Sequence, residues 1–318
     1  MLSFAWRGEN VTIERNEGTT LLGDALTGNV VHELERLLQM PLAGGLYLVA
    51  TPIGNLGDVS LRTLAVLGRA EQLYAEDTRH SRTLLAHYGL NRPLRSYHEH
   101  NAERERPRIL EALAKGSSVA VISDAGTPLI SDPGYKLVRA AVEAGVMVTC
   151  IPGPSAAIAA LVVAGLPTDT FLFAGFLPTR SSARRARLEE LKSVPATLLF
   201  FETAGRLAEC LADMAAVLGT REAVVARELT KLHEEVRRGR FEKLQEWTRG
   251  HDVRGEIVVA VGPPAKTEAS DSEIAEALRP LLASESLRDA VRAAADALGA
   301  PRARVYDIAL ALKAEAGK

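Results

Sequence analysis

The sequence predicts an α/β protein made of two layered α/β domains and a small helical tail. Three observations carry this. From residue 46 onward, short runs of β-branched and aromatic residues alternate with amphipathic helical stretches. The alternation restarts after Pro167. The last fifty or so residues lose the strand signals and become rich in alanine and leucine. At 318 residues the chain is also longer than the roughly 250–300 that one core usually serves.

Residues 1–43 stand apart. They are polar and hold one helical stretch, "VVHELERLL", and "PLAGG" then breaks the chain, so they read as an appendage open to disorder. The first domain is expected over 44–167. Its strands are "LYLVA", "QLYAE", "SVAVIS" and "MVTCIP", and helical stretches such as "SLRTLAVLGRA" and "GYKLVRAAVEAG" connect them. Short apolar strands joined by helical crossovers mean a largely parallel sheet covered on both faces. "GPSAAIAALVVAGLP" closes this domain as a helix of small residues, capped at Ser155 and ended by Gly165 and Pro167.

The second domain, 168–264, carries "TFLFAGF", "ATLLFFE", "EAVVARELT" and "GEIVVAVG". "HEEVRRGR" reads as a polar strand feeding a turn at Gly239, and the sheet is expected to be mixed. "GPPAKTEASDS" is a linker, and residues 265–318 form three short helices.

Composition narrows the class. Apolar residues make up 47% and charged residues 25%, an ordinary globular balance, and the net charge of −2 excludes a globally basic nucleic-acid coat. No apolar run reaches the roughly 18–20 residues of a membrane helix, and the charged N-terminus does not read as a signal peptide. A cytoplasmic protein without membrane contact is expected. Cys150 and Cys210 lie in apolar surroundings, without metal or disulfide spacing, and are expected in the core. "HEH" at 98–100 lacks further ligands at a usable spacing, so no metal is expected.

In open α/β sheets, ligands sit beyond the carboxyl ends of the strands. Four strand ends here carry small, turn-forming and polar residues: Thr51-Pro52-Ile53-Gly54-Asn55, Glu76-Asp77-Thr78-Arg79-His80, the run from Asp124 to Gly134, and Pro152-Gly153-Pro154-Ser155. Any ordinary βα loop favours such residues, so the inference rests on the set. None of these loops has the lysine of a Walker loop or the glycine pattern of a dinucleotide fingerprint. Backbone-rich walls with few charges suit a nucleoside without a polyphosphate, and S-adenosylmethionine has that character. "AEDTRH" offers an acceptor (Asp77 or Glu76), a clamp (Arg79) and a base (His80). Asp77 serves equally well as a helix N-cap. Lys231 in "ELTK" is either a group that steers a hydroxyl or a solvated lysine.

"LYLVATPIGNLGDVSLR", "AEDTRHSRTLL", "SDAGTPLISDPGY", "PGPSAAIAAL", "GFLP" and "ARELTKLHEE" together closely resemble the ribosomal RNA small-subunit methyltransferase I family, within the tetrapyrrole methylase superfamily. The resemblance covers residues 46–262 in order. It implies a class III methyltransferase fold with S-adenosylmethionine in a cleft between the two domains, a homodimer, and 2′-O-methylation of a cytidine in the decoding region of 16S rRNA. The substrate is then 16S rRNA or the small ribosomal subunit. The cofactor residues it implies are Pro52, Gly54, Asp124, Ala125, Gly126, Thr127, Ile130, Pro154, Ser155 and Ala156. From the second domain it adds Phe201, Ala226, Gly255 and Glu256. Members acting on tetrapyrroles carry a G-x-G-type first loop and Gly-Asp-Pro in the third-strand loop. Here these read "TPIGN" and "GTP".

For this reaction the candidate catalytic residues are Asp77, Arg79, His80 and Lys231. His98 and Asn101, in a segment that fits the family's pattern, are candidate RNA contacts. Arg184, Arg185 and Arg187 in "RSSARRARLEELK", with Arg237 and Arg238 in "VRRGR", are local basic clusters suited to phosphate, and each reads equally as a solvated face. Two other readings stay open: methylation of a tetrapyrrole or other small molecule, and a non-catalytic RNA-binding assembly factor.

Overall fold

The computed structural model describes residues 20–130, 134–265 and 269–316. Residues 1–19, the Ser131-Asp132-Pro133 stretch of one predicted ligand loop, and linker residues 266–268 lie outside the described residues. The chain divides into two compact units, residues 1–263 and 264–318.

The first unit contains both predicted sheets. The first sheet has strands β1 (Gly45–Val49), β2 (Gln72–Ala75), β3 (Leu94–Ser96), β4 (Ser118–Ile122) and β5 (Val148–Ile151), in the order β3-β2-β4-β1-β5. Every pairing in it is parallel. Helices α2 (Leu61–Arg69) and α3 (Thr78–His87) bury Val66, Leu67, Leu84 and Leu85 on one face. Helices α4 (Ala102–Ala114) and α5 (Tyr135–Glu143) bury Ile109, Leu113, Leu137 and Ala141 on the other. Right-handed crossovers require this split, because the chain runs one way along the sheet through α2 and α3 and back through α4 and α5.

Ahead of the sheet lies helix α1 (Thr20–Gln39), so most of the described part of the extension is helical. Leu37, Met40 and Leu42 line a small hollow with Tyr47, Val66 and Ile151. The Arg69 guanidinium donates to the Leu38 carbonyl.

The second sheet is mixed, as expected: β6 (Phe171–Phe176), β7 (Thr197–Thr203), β8 (Glu222–Arg227), β9 (Glu235–Arg240) and β10 (Glu256–Val261), ordered β6-β7-β10-β8-β9. Only β6 and β7 run parallel. Gly239 does not turn the chain. It pairs with Ala223 inside β9, and the chain enters α9 (Phe241–Gly250) directly. Helices α7 (Ser181–Leu191), α8 (Leu207–Leu218) and α9 cover one face, around Leu198, Phe200 and Val259. Cys210 is buried there, whereas Cys150 is exposed on edge strand β5 and is no core filler.

The opposite face of the second sheet is covered by α6 (Ala156–Ala164), the helix that leaves the first sheet after β5. Its Ala157, Leu161 and Ala164 pack on Leu199, Val224 and Ala260. The boundary expected at 167/168 falls between α6 and β6, inside the first unit.

The second unit is three helices, α10 (Asp271–Ser284), α11 (Leu287–Leu298) and α12 (Arg302–Ala316), around Ile274, Leu278, Val291 and Val305. Ser270 and Glu273 form a capping box at the start of α10.

A buried ionic knot fastens α7 to α8. The Arg184 side chain is 1% exposed, and its Nε donates to Asp213 Oδ2 at 2.7 Å. Ser181 Oγ and Arg185 Nε donate to Asp213 Oδ1 at 2.9 and 2.5 Å. Burial pushes the Asp213 carboxyl up, but the donors from Arg185, Arg184 and Ser181 outweigh it and hold the group below its ordinary value. Removing one partner strands a buried charge, so Asp213→Ala is expected to cost about 3 kcal/mol, a drop of roughly 5–10 °C in Tm by calorimetry. A lowered carboxyl stabilises the fold above its unfolded value of about 3.9 and loses that contribution as pH falls through the folded value. The stability gap between the native chain and Asp213→Asn should therefore shrink below about pH 4 in acid titrations followed by circular dichroism.

Candidate functional site

Strands β1 and β4 lie side by side, and the chain leaves them in opposite directions along the sheet, β1 toward β2 and β4 toward β5. Their carboxyl ends therefore open a crevice. The loops beyond them are stitched together: Thr51 and Gly126 exchange both backbone hydrogen bonds, at 2.9 and 3.0 Å. Thr127 Oγ1 donates to the Pro154 carbonyl at 3.1 Å and ties in the loop after β5.

The crevice continues as a cavity of about 550 Å³. One wall comes from the first sheet's loops and the start of α6: Ala125, Gly126, Thr127, Ile130, Ser155 and Ala156. The other comes from the second sheet, with Phe201, Ala226, Gly255 and Glu256. Ten of the predicted cofactor residues thus meet around one cavity. Pro52, Gly54, Asp124 and Pro154 do not line it and shape its loops instead. Sequence reasoning missed Ile53, Phe176, Thr203 and Leu229, which contribute to the lining. Ile53, Phe176 and Leu229 sit inside the quoted "TPIGN", "GFLP" and "ARELTKLHEE" and were recoverable. Phe201 stacks edge-to-face with Phe173 and Phe176, at centroid distances of 4.8 and 5.5 Å. Among the described residues no lysine or arginine lines the cavity. Its volume falls in the range of small-molecule sites, and its chemistry suits a nucleoside-sized ligand without a polyphosphate.

Lys231 stands on the loop between β8 and β9. Its Nζ donates to Glu228 Oε1 at 2.9 Å and to Glu256 Oε2 at 3.0 Å, and the side chain is only 12% exposed. It is not a solvated surface lysine. Its aliphatic stem crosses Gly54, where a Cβ would lie 2.4 Å from Lys231 Cγ, so "TPIGN" needs its glycine for this crossing. Burial pushes the Glu228 carboxyl up, but Lys231 and the Glu256 amide together hold it below its ordinary value.

"AEDTRH" sits at the end of β2. Asp77 is the N-cap of α3: its carboxylate accepts from the Arg79 amide at 2.8 Å. It also pairs with the Arg79 guanidinium at 2.8 Å. These bonds to Arg79 hold its carboxyl down at about 2. The Asp77 amide donates to Asp124 Oδ1 at 2.9 Å, so Asp124 joins this loop to the cavity wall from behind. Arg79 is exposed, and His80 lies half-buried in the first turn of α3.

Two of the predicted RNA contacts, Arg184 and Asn101, are corrected by their burial, while Arg238 stays exposed with its guanidinium on a helix end. Arg184 is buried in the ionic knot with Asp213. Arg238 Nε donates to the Ala164 carbonyl at 3.1 Å and its Nη2 to the Val163 carbonyl, which caps the end of α6. Asn101 is buried: its Oδ1 accepts from the His98 amide at 2.9 Å, and its Nδ2 donates to Ser96 at 3.0 Å, which closes the turn after β3. His98 is half-buried in that turn. Arg185, Arg187 and Arg237 keep substantial exposure, although each is paired with a carboxylate. Arg237 also lies over the Trp247 ring at 5.8 Å.

Residues 45–245 match the family described as Tetrapyrrole (Corrin/Porphyrin) Methylases, and residues 268–313 match the RsmI C-terminal HTH domain. The chain is 49% identical over 280 residues to the Ribosomal RNA small subunit methyltransferase I of Mesorhizobium japonicum, covering 87% of this chain and 95% of the relative. It is 47% identical to the protein of that name from Pseudomonas aeruginosa, covering 84% and 97%. Among solved structures, diphthine synthase superposes with a TM-score of 0.55 at 18% identity, over 68% of this chain and 89% of that one. A cobalamin biosynthetic enzyme, cobalt precorrin-4 methyltransferase, gives 0.52 at 17%, over 68% and 94%. These structural likenesses show the fold. The sequence matches run through both units, and the chain belongs to the ribosomal RNA small subunit methyltransferase I family, with the tetrapyrrole methylase fold.

Proposed function

We propose that the protein methylates the ribose 2′-oxygen of a cytidine in the decoding region of 16S rRNA, with S-adenosylmethionine as donor. The observation that carries this reading is a cavity with no lysine or arginine among its described lining residues, with Lys231 held against Glu256 of its second wall. A nucleoside sulfonium suits the cavity, and an RNA backbone suits the cation.

When bound, S-adenosylmethionine supplies an already activated methyl group, so the protein's task is positioning. Backbone of residues 125–127, Ser155 and Ala156 would hold the donor from one side, and Phe201 and Ala226 from the other. Arg79, steadied by Asp77, would clamp a phosphate of the RNA. Lys231 would meet the 2′-oxygen from the cavity rim. Asp77 holds a proton only near pH 2, which makes it a weak base. Its carboxylate serves Arg79 and α3, and His80 is the acceptor for the hydroxyl proton. Arg187 and Arg237 add phosphate contacts. The protein works in the cytoplasm, and as a homodimer, for which the exposed Ile158 and Val162 on α6 offer apolar surface.

The direct experiment incubates the protein with labelled S-adenosylmethionine and unmodified small subunits. One alkali-resistant linkage should appear at a decoding-region cytidine. Label found only in bases, or no label in RNA, overturns the reading. Phe201→Ala should weaken S-adenosylmethionine binding about tenfold by calorimetry, through loss of aromatic packing. His80→Gln should lower kcat by roughly 100-fold. If Asp77 were the base, His80→Gln would instead keep the native rate. Arg187→Ala and Arg237→Ala should each reduce the salt slope of rRNA binding by about one.

A further inference from the structure

The geometry points to Glu228 as the positioning residue of this site, whose Oε1 seats the Lys231 ammonium at the cavity rim. The inference rests on the rRNA methylation reading above, in which Lys231 meets the 2′-oxygen.

The loop between β8 and β9 is built in an unusual way. Glu228 and Thr230 both sit in the left-handed region, at φ 51° and 66°, and neither is glycine. Such residues persist only where their surroundings over-determine them, and they gather at functional sites. The surroundings here are explicit. The Glu228 amide donates to the Glu256 carbonyl at 2.9 Å, and the Glu228 carbonyl accepts from the Lys231 amide at 3.0 Å. Its side chain folds back so that Oε1 accepts from the Glu256 amide at 3.0 Å and from Lys231 Nζ at 2.9 Å.

Gly255 makes room for this. A Cβ there would lie 2.3 Å from Glu228 Oε1, and the backbone holds φ 92°, so the carboxylate occupies the space a side chain would take. The second wall of the cavity, Gly255 and Glu256, is thereby fastened to the seat of Lys231. Glu256 Oε2 adds a second acceptor at 3.0 Å, and Gly54 lets the lysine stem pass. Glu228 Oε1 therefore joins the Lys231 ammonium to the Glu256 amide, and together with Glu256 Oε2 it holds Lys231 against the second wall. An ammonium fixed in this way suits an oxygen that gains negative charge during transfer, as the ribose 2′-oxygen does when it loses its proton.

A double-mutant cycle on the full chain tests this, with kcat on unmodified small subunits and S-adenosylmethionine affinity measured for each variant. Lys231→Met should lower kcat by about tenfold to a hundredfold. Glu228→Ala should fall to the same level, and the double variant should fall no further, since Glu228 acts through Lys231. S-adenosylmethionine affinity should stay within about threefold throughout. Glu228→Gln should recover most of the loss, because its amide oxygen can accept both hydrogen bonds. Glu228→Met replaces Glu228→Ala if the alanine variant does not fold. The proposal is overturned if the two losses multiply, if Glu228→Ala matches the native rate, if Glu228→Gln is as slow as Lys231→Met, or if the loss lies in cofactor affinity. Absence of 2′-O-methylation by the native chain would instead sink the functional reading itself.

Discussion

The constraint on which the rest depends is the close seating of α6 on the second sheet. The helix follows the last strand of the first sheet, yet its buried side chains belong to the second. Alanine at 157, 160 and 164 brings its backbone near the strands without voids. The helix begins at Ser155 and Ala156, on the cavity wall. Its far end is held by Arg238, reaching across from β9. With both ends fixed, the strand-end loops of the first sheet face residues 201, 226 and 255–258 of the second. The cavity is the space this leaves.

The arginines show how charge is divided between holding the fold and serving a ligand. "RSSARRARLEELK" holds several cations in a short span, and nothing in that span says which face is buried. Arg184 turns inward because Asp213 waits on the neighbouring helix, while Arg187 turns outward beside Glu190. Arg238 is spent on a helix end. A buried guanidinium without partners would cost too much, so each inward arginine has its carboxylate or carbonyls.

Strain is concentrated where the ligand would sit. Leu129, Glu228 and Thr230 are the non-glycine residues at positive φ among the described residues, and all lie on loops beside the cavity. Left-handed backbone at such residues costs free energy that neighbouring contacts must offset. At Glu228 the offsetting contacts are four hydrogen bonds to Glu256 and Lys231. The loop after β8 thus holds a fixed shape beside the first sheet's "TPIGN".

The sequence by itself determined the two alternating α/β sets, the mixed second sheet, the helical tail and the strand-end loops of the site. These are local matters: periodicity, turn residues and caps act over a few positions. It also determined that Asp77 could cap α3, since an N-cap needs only the next few amides. Only the tertiary structure decided that α6 serves the second sheet, that Arg184 and Asn101 are interior, that Cys150 faces outward, and that Lys231 is clasped by Glu228 and Glu256. Each of these depends on partners distant in the chain: Asp213 lies 29 positions from Arg184, and Glu256 lies 25 from Lys231. Pairing across such spans is set by how the sheets pack, and no local pattern of residues encodes it.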